Sequence, residues 1–179
     1  GDDGDAAVRP ALHVNLSSSC VSDAGTVTSK GNTTAGTNRS GATNFKKPSK
    51  NESGDVTTWD CVYFGNYKQK ATFKKQPIEW RVLSVTGNDA FLVADKALDC
   101  KQYNTSYTSV TWETCTLRDW LNGTDDYAND NTAFIKAAFT DDERNAIIET
   151  NVVNENNPSY DTEGGNNTTE IGRASCRER

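Results

Sequence analysis

Apolar residues recur at two periods along this chain, and the change of period divides it. Residues 8–16 (VRPALHVNL) alternate, with Val8, Leu12, Val14 and Leu16 on one parity and Pro10 interrupting early. That pattern predicts a short strand with an edge or start proline. Residues 62–67 (VYFGNY) predict a second strand, leading into a polar turn over 68–76. Residues 78–86 place Ile78, Trp80 and Val82 on one face and Leu83 and Val85 near the other. Gly87-Asn88-Asp89 is a turn signal, and residues 90–94 (AFLVA) resume the β pattern, so 78–94 predict a hairpin with both faces largely covered.

The period then becomes helical. Leu117, Trp120 and Leu121 stand at i, i+3 and i+4, with Asn122-Gly123 as a C-terminal stop. Phe134, Ile135, Ala138 and Phe139 form the stripe of a second short helix. Thr140-Asp141-Asp142-Glu143 is a capping box opening a third, which is expected to carry Ile147 and Ile148 inward. The predicted class is α+β, a β-hairpin sheet packed by two or three short helices. Residues 17–56 are dominated by Ser, Thr, Gly, Asn and Lys, with Phe45 the sole aromatic. So little apolar surface cannot offset chain entropy, which predicts a flexible linker. Residues 1–7 and 154–169 read as polar loops.

Charge narrows the partners. With 19 basic against 25 acidic residues, a net charge of −6, and no Lys/Arg stripe, the chain lacks the footprint of a nucleic-acid binder. An anionic membrane surface is disfavoured for the same reason, and no apolar run approaches the roughly 20 residues of a membrane span. Abundant Asn, Thr, Ser and Gly with no Met suit an extracellular or cell-surface protein. Of the five cysteines, Cys176 falls in the C-terminal stretch 170–179 and is set aside with it, and Cys20, Cys61, Cys100 and Cys115 form an even set. A Cys100–Cys115 bridge would close a loop of about 15 residues and contribute on the order of 3 kcal/mol. Cys20–Cys61 is the next candidate pair, and four free thiols are the alternative.

Candidate chemistry is sparse. His13 is the only histidine, and as an exposed edge-strand residue it has no evident partner for nucleophilic catalysis. No C-x-x-C pair is present, so no metal-binding residues are assigned. The acidic clusters do not match a spaced calcium loop, and calcium is left open only at residues 156–167. Paired carboxylates for glycoside hydrolysis cannot be selected without geometry. Trp80 and Trp120 have the spacing of core residues, whereas Trp59 and Trp112 lie beside loops and are the candidate ligand-binding residues.

W-D-C-V-Y-F-G-N-Y, P-I-E-W-R-V-L, T-W-E-T-C-T-L-R-D-W-L-N-G and A-F-T-D-D-E-R-N-A-I-I together resemble domain of unknown function 6273, a family of secreted proteins from Gram-positive bacteria. Members end in W-L-R-S-P-G and a closing V-R-P-A-L strand. The resemblance implies that residues 57–169 are the N-terminal two-thirds of one copy, incomplete at its C-terminus, and that 1–16 hold the last strand of a preceding copy. It implies a C-type-lectin-like or formylglycine-generating-enzyme-like architecture by analogy, and it carries over no catalytic residues. Residues 170–179, E-I-G-R-A-S-C-R-E-R, back-translate to a string matching a common sequencing-library adapter and are set aside as foreign to the fold.

The expected function is a non-catalytic extracellular binding or adhesion module of a repeat-bearing bacterial surface protein, with a glycan or surface protein as partner. The alternatives are an accessory domain of a secreted enzyme or a structural spacer. Residues 8–16 are expected to cross the linker and dock beside the 62–67 or 78–85 strand, because closure entropy grows only slowly with loop length.

Overall fold

The structure, a computed structural model, describes residues 6–69, 74–159 and 161–175. The expected loop at 1–5, residues 70–73 of the polar turn, residue 160 and the stretch 176–179 lie outside the described residues. In chain order the strands are β1 (Ala6–Asn15), β2 (Ser22–Thr28), β3 (Thr33–Thr34), β4 (Ser49–Lys50), β5 (Thr57–Tyr67), β6 (Gln76–Thr86), β7 (Asp89–Ala94), β8 (Asp99–Lys101), β9 (Ile147–Ile148), β10 (Thr150–Val152), β11 (Thr168–Glu170) and β12 (Arg173–Ser175). The helices are α1 (Thr116–Asn122), α2 (Phe134–Ala138) and α3 (Asp141–Ala146). The class is α+β and mostly β, since an antiparallel sheet ordered β12-β1-β7-β6-β5-β2-β3 dominates.

The strand at 8–16 does join this sheet, but its partner differs from both expected ones. β1 pairs with β7, from Ala11 opposite Val93 to Asn15 opposite Asp89, and with β8 from Ala6 to Val8. Pro10 falls between those two stretches, where the neighbour changes. The proline therefore sits inside the sheet, not at an edge. On its other side β1 pairs with β12 and β9. This seat sends Val8, Leu12 and Val14 into the core. β12 lies within the adapter-like stretch and is nonetheless hydrogen-bonded to β1.

The core lies on one face of the sheet, under the helices. Trp80 is fully buried, and its indole Nε1 donates to the Phe64 carbonyl at 2.7 Å. A bulge separates Tyr63 from Asn66 in the pairing of β5 with β6, and Gly65 sits in it at φ 72°. A Cβ there would come within 2.4 Å of the Phe139 ring, so only glycine fits. Phe139 in turn tilts against Phe64 at 5.1 Å and stacks on Trp80 at 6.3 Å. α1 ends at Gly123, whose left-handed conformation caps it through an N–H donated to Asp119 O. The Thr140–Glu143 capping box opens α3 as expected.

Three expectations need correction. Ile147 and Ile148 are not helical: α3 stops at Ala146, and the pair forms β9 against Val14 and His13. Val85 belongs to the core side, because a second bulge between Val82 and Ser84 shifts the parity of β6 by one. The hairpin of β6 and β7 is fully covered on one face and only partly on the other, where Val93 is buried but Glu79, Arg81 and Phe91 are partly exposed.

The segment 17–56 is not without structure either. It carries β2, β3 and β4 and buries Phe45. Its organiser is ionic. Arg39 donates to both Asp23 oxygens at 3.0 Å and to Asp60 Oδ2 at 2.8 Å, with its guanidinium 4.9 Å from the Phe45 ring centroid. Burial opposes ionisation of Asp23, but the Arg39 side chain and the Thr37, Gly25 and Arg39 N–H groups outweigh it, holding the carboxyl far below its ordinary range.

Arg39→Ala strands the enclosed Asp23 carboxylate, and such a loss costs on the order of 3 kcal/mol. Amide exchange across residues 22–60 is expected to quicken by about a hundredfold, with β6 and β7 little changed; unaltered exchange would contradict the ionic account. A depressed carboxyl stabilises the fold above its unfolded pKa of about 4 and loses that contribution as pH falls further. The segment is therefore expected to loosen below about pH 4.

Candidate functional site

Alternation on β5 and β6 decides what the partly covered face presents. With Val62, Ile78, Trp80 and Val82 inward, the residues between them point outward: Trp59, Cys61 and Tyr63 on β5, Glu79 and Arg81 on β6. The register sets Tyr63 opposite Glu79 and Cys61 opposite Arg81. Asp95, just past β7, donates its N–H to the Glu79 carbonyl at 2.9 Å, which extends the same row. Directly opposed side chains in such a ladder lie about 4.5–5.5 Å apart at Cβ.

A groove of about 430 Å³ opens over this row, lined by Tyr63, Gln69, Gln76, Pro77, Glu79, Asp95 and Lys96. That volume is within the roughly 300–1,000 Å³ of small-molecule sites. Tyr63 is 39% exposed. Gln69 is anchored by its amide, which donates to the Gln76 and Pro77 carbonyls at 3.1 and 2.8 Å. Arg81 ties the groove to Trp59: its Nε donates to Asp95 Oδ1 at 2.7 Å while its guanidinium lies 4.6 Å from the centre of the Trp59 ring.

The two carboxylates are not equivalent. Asp95 is committed to Arg81. Glu79 makes no ion pair among the described residues; burial pushes its carboxyl up, and the Asp95 charge adds to that, against Lys96, the Cys61 thiol and Arg81. Cys61 is pushed up to about 12 by burial and then by Glu79 and Asp95, so its thiol stays protonated at neutral pH and is a poor nucleophile.

The other candidates lie elsewhere. Trp112 precedes α1 on the helical side; its Nε1 donates to Glu170 Oε1, and its ring centroid is 6.4 Å from that of Tyr103. The two candidate tryptophans are therefore not brought together. Cys20, Cys61, Cys100 and Cys115 are all free thiols, so neither expected disulfide is formed. Cys100 is exposed on β8, Cys115 is buried at the start of α1, and Cys61 is buried with its thiol directed to the Trp59 carbonyl. His13 has a partner after all, with Nδ1 2.8 Å from Asp89 Oδ1 and its ring stacked on Phe91 at 4.8 Å. Among the described residues no group of three or more His, Cys, Asp or Glu is placed to hold a metal ion, at 156–167 or elsewhere. No helix of the described residues is long and apolar enough to cross a membrane.

A second cavity, of about 320 Å³, lies where His13 and Phe91 face the β10–β11 pair. Its far wall is Glu170, Ile171 and Gly172, within the adapter-like stretch. The groove over Glu79 has no such dependence.

This geometry defines a mostly antiparallel β domain with short helices on one face and a polar, aromatic groove on the other. The chain belongs to the family described as Domain of unknown function (DUF6273), whose model matches residues 87–176. The match covers β7, all three helices and residues 170–176. No curated protein matches the chain, and no solved structure does, so the C-type-lectin-like and formylglycine-generating-enzyme-like analogies gain no support.

Of the groove residues, sequence reasoning singled out none. The available signal was that Glu79 and Arg81 interrupt an otherwise apolar strand at alternate positions.

A carboxyl whose folded pKa is raised costs stability as pH climbs past its unfolded value, about 4.3 for Glu. Glu79→Gln keeps an acceptor for the Cys61 thiol and removes that cost. The variant is expected to melt higher than the wild-type chain at pH 7, with the gap closing near pH 4. An equal or lower Tm at pH 7 would contradict the raised carboxyl.

Proposed function

We propose that this chain is a non-catalytic extracellular binding module that takes a carbohydrate in the groove over Glu79. One observation carries the reading. The groove combines an exposed tyrosine ring with two carboxylates and two anchored or adjacent amides on a rigid strand floor. A sugar ring presents an apolar C–H face that packs on an aromatic ring, and hydroxyl groups that donate to carboxylates and exchange hydrogen bonds with amides. Hydrogen bonds to an ionised acceptor are the stronger kind, roughly 1.5–3 kcal/mol each. Sites on strands hold such groups more accurately than sites on loops. The protonated thiol of Cys61 favours recognition over covalent chemistry at this face. The Asn/Thr/Ser-rich, acidic composition fits an extracellular setting, and the net charge of −6 without a Lys/Arg stripe leaves little to attract phosphate backbones.

The full chain, applied to a broad glycan array at neutral pH, is expected to give discrete hits. Tyr63→Ala should weaken those hits tenfold or more, about 1.4 kcal/mol. No hits from a chain whose circular dichroism shows the folded sheet would count against the carbohydrate reading, and capture of a surface protein instead would favour a protein ligand.

A further inference from the structure

We infer that the groove selects neutral saccharides over acidic ones, and that Glu79 is the residue that determines this specificity. The inference rests on the carbohydrate reading and concerns charge. Three elements bring charged or titratable groups to the groove: β6 supplies Glu79 and Arg81, β5 supplies Tyr63 and Cys61, and the residues after β7 supply Asp95 and Lys96. Gln69, from the connection between β5 and β6, and Gln76, at the start of β6, also line it, while Lys68, Lys74 and Lys75 of that connection are exposed and outside the lining. The Arg81–Asp95 pair, at 2.7 Å and with side chains 21% and 11% exposed, cancels one charge of each sign. Lys96 and Glu79 remain, and they differ in placement. Glu79 is half-buried in the floor, aligned with the Tyr63 ring through the strand register, whereas Lys96 lies beyond the end of β7 and is exposed.

A ring stacked on Tyr63 therefore meets a carboxylate at the depth of its hydroxyls. A hydroxyl donates to that carboxylate. A uronate or sialate carboxylate in the same place can only repel it, and the partial burial of Glu79 keeps solvent from screening the repulsion. The raised Glu79 carboxyl adds a second signature: once protonated it loses acceptor strength, so a neutral ligand should be released on acidification.

The test compares neutral oligosaccharides with matched uronic-acid and sialylated counterparts, using the full chain and its Glu79→Gln variant from pH 4 to 8. The wild-type chain is expected to bind neutral members at least tenfold more tightly than their acidic counterparts, and to lose affinity for the neutral ones as pH falls. In Glu79→Gln the neutral-to-acidic ratio should fall toward one and the acid-side loss should flatten. Equal binding of neutral and acidic sugars by the wild-type chain would overturn this inference while leaving the carbohydrate reading intact. So would discrimination that survives in the variant. Binding of no saccharide at all would overturn both.

Discussion

The orientation of Trp80 is the constraint on which both faces of the sheet depend. Its indole is the largest fully buried side chain, and an indole N–H in an apolar core must find an acceptor. It finds the Phe64 carbonyl, which is where β5 bulges at Gly65. That bulge brings the backbone close enough to Phe139 that no side chain fits, and so the hydrogen bond, the glycine and the end of α2 are one arrangement. Because side chains alternate along a strand, fixing Trp80 inward also fixes Glu79 and Arg81 outward. The groove exists because the core does.

A second constraint acts on the N-terminal third. Apolar burial holds β1 through Val8, Leu12 and Val14, but the segment between β1 and β5 has almost nothing apolar to contribute. Charge substitutes for it. A single guanidinium spans Asp23 and Asp60 and covers the Phe45 ring, joining β2, the following loop and β5. Such a triad leaves the chain dependent on one side chain, since removing the cation leaves two carboxylates facing each other.

What was legible in the sequence follows from where the signals are local. Leu117, Trp120 and Leu121 announce α1 and Gly123 its end, and Thr140 with Glu143 announces α3, because caps and helical spacing act within a few residues. The hairpin of β6 and β7 was equally plain. Residues 17–56 were misread as linker because the residues that order them, Asp23, Arg39 and Asp60, are ordinary charged residues far apart in the chain. The bulges at Gly65 and beyond Val82 were invisible for a related reason. Each inserts one residue whose effect depends on the partner strand, and the second moved Val85 to the opposite face. The groove was missed because Tyr63, Glu79 and Asp95 come from three different elements, and only the register aligns them.

The charge arrangement on the outward face also bears on why that face stays open. A sheet face with Trp59, Tyr63, Phe91 and Val93 along it would be an association hazard if nothing else broke it up. Arg81 sits among these residues, covers one side of the Trp59 ring and neutralises Asp95, so the aromatic area is divided and partly hydrated. Glu79 and Lys96 carry the groove charges left outside that pair, Glu79 in the floor and Lys96 at the exposed end. Burial and the nearby Asp95 push the Glu79 carboxyl up, so keeping it charged there costs stability. On the proposed carbohydrate reading, that cost falls in the floor of the groove beside the exposed Tyr63 ring, where a recognition role would place it.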